Sequence, residues 1–117
     1  MSSSADLIIQ QGATFGATVT VKNSDLSAFN LTGYTGRGQI RNSYGATGIL
    51  LDLAPVIRTG VNNSALVSGL IDIDLTAATT ATLPIHQARY DLEIFNANGT
   101  VTRVLQGKVL ITPEVTR

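Results

Sequence analysis

"ARYDLEIFNANGTVTRVLQGKVLI", Ala88–Ile111, is the stretch that decides the fold class. Tyr90, Leu92 and Ile94 fall on one side of an extended chain, and Asp91 and Glu93 on the other, because successive strand side chains point to opposite faces. Asn98-Gly99 then gives a strong hairpin signal, since both residue types tolerate positive φ. On the return run Leu105, Gly107, Val109 and Ile111 share a parity. Gly107 is placed for a bulge or a close backbone approach, and Pro113 ends the strand.

The same alternation continues upstream. In "LVSGLIDIDL" (Leu66–Leu75), Ile71, Ile73 and Leu75 face one way and Asp72 and Asp74 the other. "DLIIQ" (Asp6–Gln10), "FGATVTVK" (Phe15–Lys22), "GRGQIRN" (Gly36–Asn42) and "GILLDLAPVI" (Gly48–Ile57) read as further strands, with Pro55 marking an end or an edge. "LTAATTATLP" (Leu75–Pro84) changes character. It is alanine-rich, offers Thr76 as an N-cap, and reads as one short helical turn near 76–83 that crosses between sheets. With no internal repeat and no composition break, residues 1–117 form a single domain. The expectation is all-β: an immunoglobulin-like β-sandwich of about seven strands.

Bulk properties narrow the function. The 117 residues carry eight basic and eight acidic side chains, so the formal net charge is zero. That balance gives no electrostatic footprint for nucleic acid or an anionic membrane, and little repulsion to keep copies apart. Apolar residues make up 44% of the chain, enough for a core without staples. There is no cysteine, so neither disulfides nor thiolate metal sites hold the fold. "MSSSADLIIQQ" has no basic region ahead of an apolar run, so no signal peptide is expected. The Asn-x-Ser/Thr matches at Asn30, Asn62 and Asn98 are read as chance.

Chemistry is sparse. His86 is the sole histidine, and no Gly-x-Ser-x-Gly elbow accompanies it. The pairs Asp72/Asp74 and Asp91/Glu93 would suit a calcium ion if their strands were neighbours, but the loop spacing of a known calcium motif is absent. They read as the solvent faces of amphipathic strands. "NLTGYTGRGQIR" (Asn30–Arg41) resembles a phosphate loop only at first sight. Its glycines run Gly33-x-x-Gly36-x-Gly38, the reverse of the dinucleotide order, and lead into a strand, not a helix. The structural reading is a turn with Gly33 at positive φ, then Gly36, Gly38 and Ile40 on one face and Arg37, Gln39 and Arg41 on the other. The arginines then meet acids across the sheet or on a partner chain.

Taken in order, "DLIIQQGATF", "NLTGYTGRGQIR", "TAATTATLP" and "ARYDLEIFNANGTVTRVLQGKVLITPEVTR" resemble a small domain of tailed bacteriophages. The chain is similar to the amino-terminal domain of phage baseplate upper proteins and to stand-alone virion proteins of phages, including those of cyanobacteria. Asn30 stands where that family more often has aspartate, and the anchor-like domain is here the whole chain. The resemblance implies a structural virion protein, assembled in the bacterial host cytoplasm, that docks in many copies onto baseplate, tail-fibre or capsid proteins. It brings no catalytic residues, and with the charge balance and sparse chemistry above the expectation is no enzyme activity, no cofactor, no metal, no nucleic acid and no membrane. A tail, baseplate or fibre-attachment adaptor is the first expectation and a capsid decoration (cement) protein the alternative. A carbohydrate-binding module or an enzyme ranks below both, since there is no tryptophan and only three tyrosines and three phenylalanines. The expected interface residues are Arg37, Arg41, Tyr44, Asn62 and Asn63.

Overall fold

The computed structural model of the chain describes residues 3–43, 45, 48–84 and 87–113. It is mostly β and contains two sheets. The larger holds β1 (Ser3–Ser4), β2 (Leu7–Gln10), β4 (Tyr34–Arg41), β5 (Leu51–Asp52), β8 (Gln87–Asn96) and β9 (Val101–Thr112). Its order is β1-β9-β8-β4-β5, with β2 also on β9. The smaller runs β3 (Phe15–Thr20), β7 (Leu70–Leu75), β6 (Val56–Ile57). All neighbours are antiparallel except β1 and β2, which run parallel to β9.

One core joins the sheets. Ile40, Tyr90, Leu92, Ile94, Val109 and Ile111 come from the larger sheet and Ile71, Ile73 and Leu75 from the smaller, all buried. Each large apolar side chain so buried contributes about 1.5–3 kcal/mol. The period-2 pattern explains why: the apolar parities named above are the inward ones. In β4 the glycines share the inward face with Ile40, and Gly38 is buried where a side chain would press on Leu53, Leu92 and the Asp91 carbonyl.

The helical turn is present as α1 (Ala77–Thr80), and the Thr76 side chain accepts from Thr79 N–H as its cap. It links β7 of the smaller sheet to β8 of the larger. Its buried Thr80 hydroxyl accepts from Gly12 N–H at 3.0 Å and donates to Ala13 O at 2.8 Å, which ties the β2–β3 turn to this crossing.

Several details differ from the sequence reading. The Gly48–Ile57 run is not one strand. Leu51–Asp52 pairs with β4 and Val56–Ile57 with β7, so the chain changes sheets between them. Ala54 takes φ 46 there, and Asp52 Oδ1 accepts its N–H at 2.8 Å. Leu66–Ser68, read as the start of a strand, instead ends a kinked 3-10 segment (Val61–Ser68), in which Asn62 and Asn63 take φ 52 and 62. It ends at Gly69, φ 68, so β7 begins only at Leu70.

The β8–β9 hairpin turns on three residues, not two. Gly99 alone takes positive φ, 85, and its N–H donates to Asn96 O at 3.0 Å. This is the type I turn plus left-handed glycine pattern, completed by the Asn96 side chain accepting from Asn98 and Thr100 N–H. The bulge in β9 lies at Val104, where the register slips between Leu92/Leu105 and Glu93/Arg103. Gly107 instead serves a close approach: a Cβ there would strike the Ala5 carbonyl.

Candidate interaction surface

The outward face of the larger sheet is a charged ladder whose rows follow from register. Arg37 lies across from Glu93, and Glu93 across from Arg103; Gln39 lies across from Asp91, and Asp91 from Gln106. The next row is Arg41, Arg89 and Lys108, three cations side by side. Direct like-charge neighbours disfavour pairing by fractions of a kcal/mol. Neither Arg41 nor Arg89 is without a partner.

Arg37 Nε donates to Glu93 Oε1 at 2.9 Å, and its guanidinium carbon sits 5.0 Å from the centre of the Phe95 ring. Arg103 reaches Asp91 at 3.7 Å and Glu93 at 3.6 Å. Arg41 Nη2 donates to Gln39 Oε1 at 2.8 Å. Arg37, Gln39, Arg41, Ser43 and Arg89 help to line an open groove of about 440 Å³ across this face. The question set by "NLTGYTGRGQIR" is therefore answered for one arginine. Arg37 faces an acid of its own sheet. The preceding turn has Gly33 at φ 83, and Tyr34 stacks edge-on against Phe29 at 5.4 Å.

The other expected interface residues are not gathered here. Asn62 and Asn63 are exposed on the 3-10 segment and do not line the groove. Tyr44 and His86 lie outside the described residues. Arg89, Asp91 and Lys108 belong to the face but were missed as site residues. Their signal was the strand parity shared by Arg89, Asp91 and Glu93, which needed the β4–β8 register to become a surface.

The two acid pairs cannot share an ion, which corrects that option. β7 and β8 belong to different sheets, so Asp72/Asp74 and Asp91/Glu93 face apart. Among the described residues no cluster of three or more His, Asp or Glu side chains is placed to hold a metal. Asp72 is instead held by Arg58, with contacts of 2.6 and 2.9 Å, and by the Thr18 hydroxyl at 2.9 Å. The Arg58 hydrogen bond holds the Asp72 carboxyl below its ordinary 3.8, against the opposing pull of desolvation. Among the described residues no helix is long and apolar enough to cross a membrane.

Comparison with known proteins adds no relative: no protein-family model matches the chain, and no curated protein matches it.

Proposed function

We propose that the chain is a structural virion protein of a tailed bacteriophage, acting by protein–protein docking without catalysis. Its first role is a tail, baseplate or fibre-attachment adaptor, and the alternative is capsid decoration. The observation that carries the reading is the outward face of the larger sheet. Arg37 and Arg41 on β4 and Arg89 on the paired strand β8 line an open groove, which suits a surface that meets acidic groups of a neighbour.

The fold we infer to be immunoglobulin-like. In its support, β3-β7-β6 and β9-β8-β4 follow the B-E-D and G-F-C orders of that architecture. The first strands lie parallel to the last. Tyr90 departs from the usual tyrosine corner: its hydroxyl donates to Ala5 O at 2.6 Å, so it anchors the first strands.

Electron microscopy of whole phage particles assembled in cells that express the chain tests the reading. Density at the tail end supports the adaptor, and density on the shell replaces it with the decoration role. Particles that lack the chain altogether would sink both.

A further inference from the structure

Edge strands invite pairing with another chain, and proteins shield them with proline, lysine, bulges or a covering segment. β3 pairs with β7 on one side, and among the described residues no strand pairs with its other side. Its sequence, FGATVT, holds no charge and no proline, and its register runs unbroken from Phe15 to Thr20. Val21 N–H donates to Gly69 O at 2.7 Å. Alternation then turns the backbone of Phe15, Ala17 and Val19 toward β7, and that of Gly16, Thr18 and Thr20 outward. The other margins are less open: β5 and β6 have two residues each, and β2 has four.

A second observation lies beside this edge. A groove of about 280 Å³ opens next to the C-terminal half of β3, lined by Val19, Val21, Lys22, Leu26 and Val104 among others. Val104, from the β9 bulge, brings the larger sheet to this groove. Leu26 is 76% exposed on a bend where it takes φ 71.

We propose that β3 is the pairing edge of a symmetric dimer, in which a second copy of this chain adds its own β3 antiparallel about a two-fold axis at Thr18. Thr18 then faces the second copy's Thr18, Gly16 faces its Thr20, and Val21 faces its Phe15. The two three-stranded sheets become one continuous sheet. Self-pairing sets residues of one short segment against each other, so a charged edge would oppose like charges. This edge has none, and threonine opposite threonine is a favourable cross-strand pair. The zero formal net charge adds no long-range repulsion. Phe15 is only half-buried in the single copy; opposite Val21 it enters the mouth of the groove. The two-fold fills both grooves at once.

Sedimentation velocity on the full chain is expected to show a dimer whose share rises with concentration. Thr18→Cys is expected to cross-link under mild oxidation. Directly bonded antiparallel partners sit about 5.5 Å apart at Cα, within disulfide range, and no native cysteine competes. Thr20→Cys, far from its own symmetry mate, is expected to stay uncrosslinked. Thr20→Pro deletes an outward N–H and no bond to β7, so it is expected to abolish the dimer while the dilute protein keeps its circular dichroism spectrum. A wild type that is monomeric at every concentration overturns the proposal. So does a dimer undiminished by Thr20→Pro, or cross-linking through Thr20→Cys in preference to Thr18→Cys. The pairing is a property of the isolated chain, so its failure leaves the virion reading standing.

Discussion

At one margin of the larger sheet, β1 and β2 are fastened to β9 by three devices, whereas among the described residues the β3 margin of the smaller sheet carries none. The missing Cβ of Gly107 makes room for the Ala5 carbonyl. The Tyr90 hydroxyl donates to that carbonyl at 2.6 Å, and Asp6 Oδ1 accepts the Lys108 N–H at 3.1 Å. Each device satisfies or accommodates a backbone group at a kink between two short parallel strands. Parallel pairing is slightly weaker per residue than antiparallel pairing, so a two-residue and a four-residue strand need such fastening. The β3 edge is unbroken in register and uncharged, and among the described residues it is unfastened. A margin built to be closed within one chain thus looks chemically different from one left available to another.

The sharpest way to break this contrast is Gly107→Ala. The new Cβ meets backbone, which yields less than a flexible side chain would. Overpacking of this kind costs about 1–3 kcal/mol, and the upper half of that range is expected in denaturant unfolding. A wild-type midpoint would mean that the Ala5 kink is not fixed against Gly107. Tyr90→Phe should cost about 1–2 kcal/mol, because it leaves the Ala5 carbonyl short of its donor. Combined with Gly107→Ala it should cost less than the sum of the two, since both disturb one margin. Strict additivity would separate the devices.

How much of this contrast was legible beforehand depends on what kind of signal each part leaves. The β8–β9 pair stood out because inward and outward parities differ in polarity over many residues. The β9 bulge did not, because Val104 and Leu105 are both apolar and either fits an inward position. Gly48–Ile57 looked continuous because its apolar character survives the change of sheet; only Pro55 hinted at a break, and the φ of 46 at Ala54 leaves no mark in an alanine. Asn62 and Asn63 were expected at an interface, but their left-handed conformations are a matter of backbone geometry. Of the candidate surface, the Arg37/Arg41 parity could be read directly. The opposition of Arg41, Arg89 and Lys108 could not, because register between distant strands is set by the whole core.

The outward faces of the two sheets extend the comparison. On the smaller sheet Asp72 is closed off by Arg58 and Thr18; on the larger, Glu93 and Asp91 are shared among arginines beside a groove. Arg58→Met should lower stability by under about 1 kcal/mol at neutral pH, since the pair is largely exposed. The folded pKa of Asp72 lies below 3.8. Its contribution is therefore full above that value and is lost as pH falls through the folded value. Thermal melts of wild type and Arg58→Met should converge in strong acid. Melts that stay apart there would assign the effect to packing of the Arg58 stem.

Charge reversal at Arg37 has the smallest expected effect on the monomer. Arg37→Glu sets a carboxylate directly across from Glu93 and removes the cation above Phe95. The Arg37 side chain is 53% exposed, however, and Arg103 still approaches Glu93 at 3.6 Å. Exposed pairs contribute about 0–1 kcal/mol, so the isolated protein should melt within a few degrees of wild type. If the larger sheet presents its arginines to acids of a neighbouring virion protein, incorporation into particles should fall far more than this stability loss explains. Scoring monomer melting and particle incorporation on the same variant separates the two roles. Equal, small effects on both would mean that the ladder serves only its own sheet, and the docking surface would then have to be sought at a sheet edge.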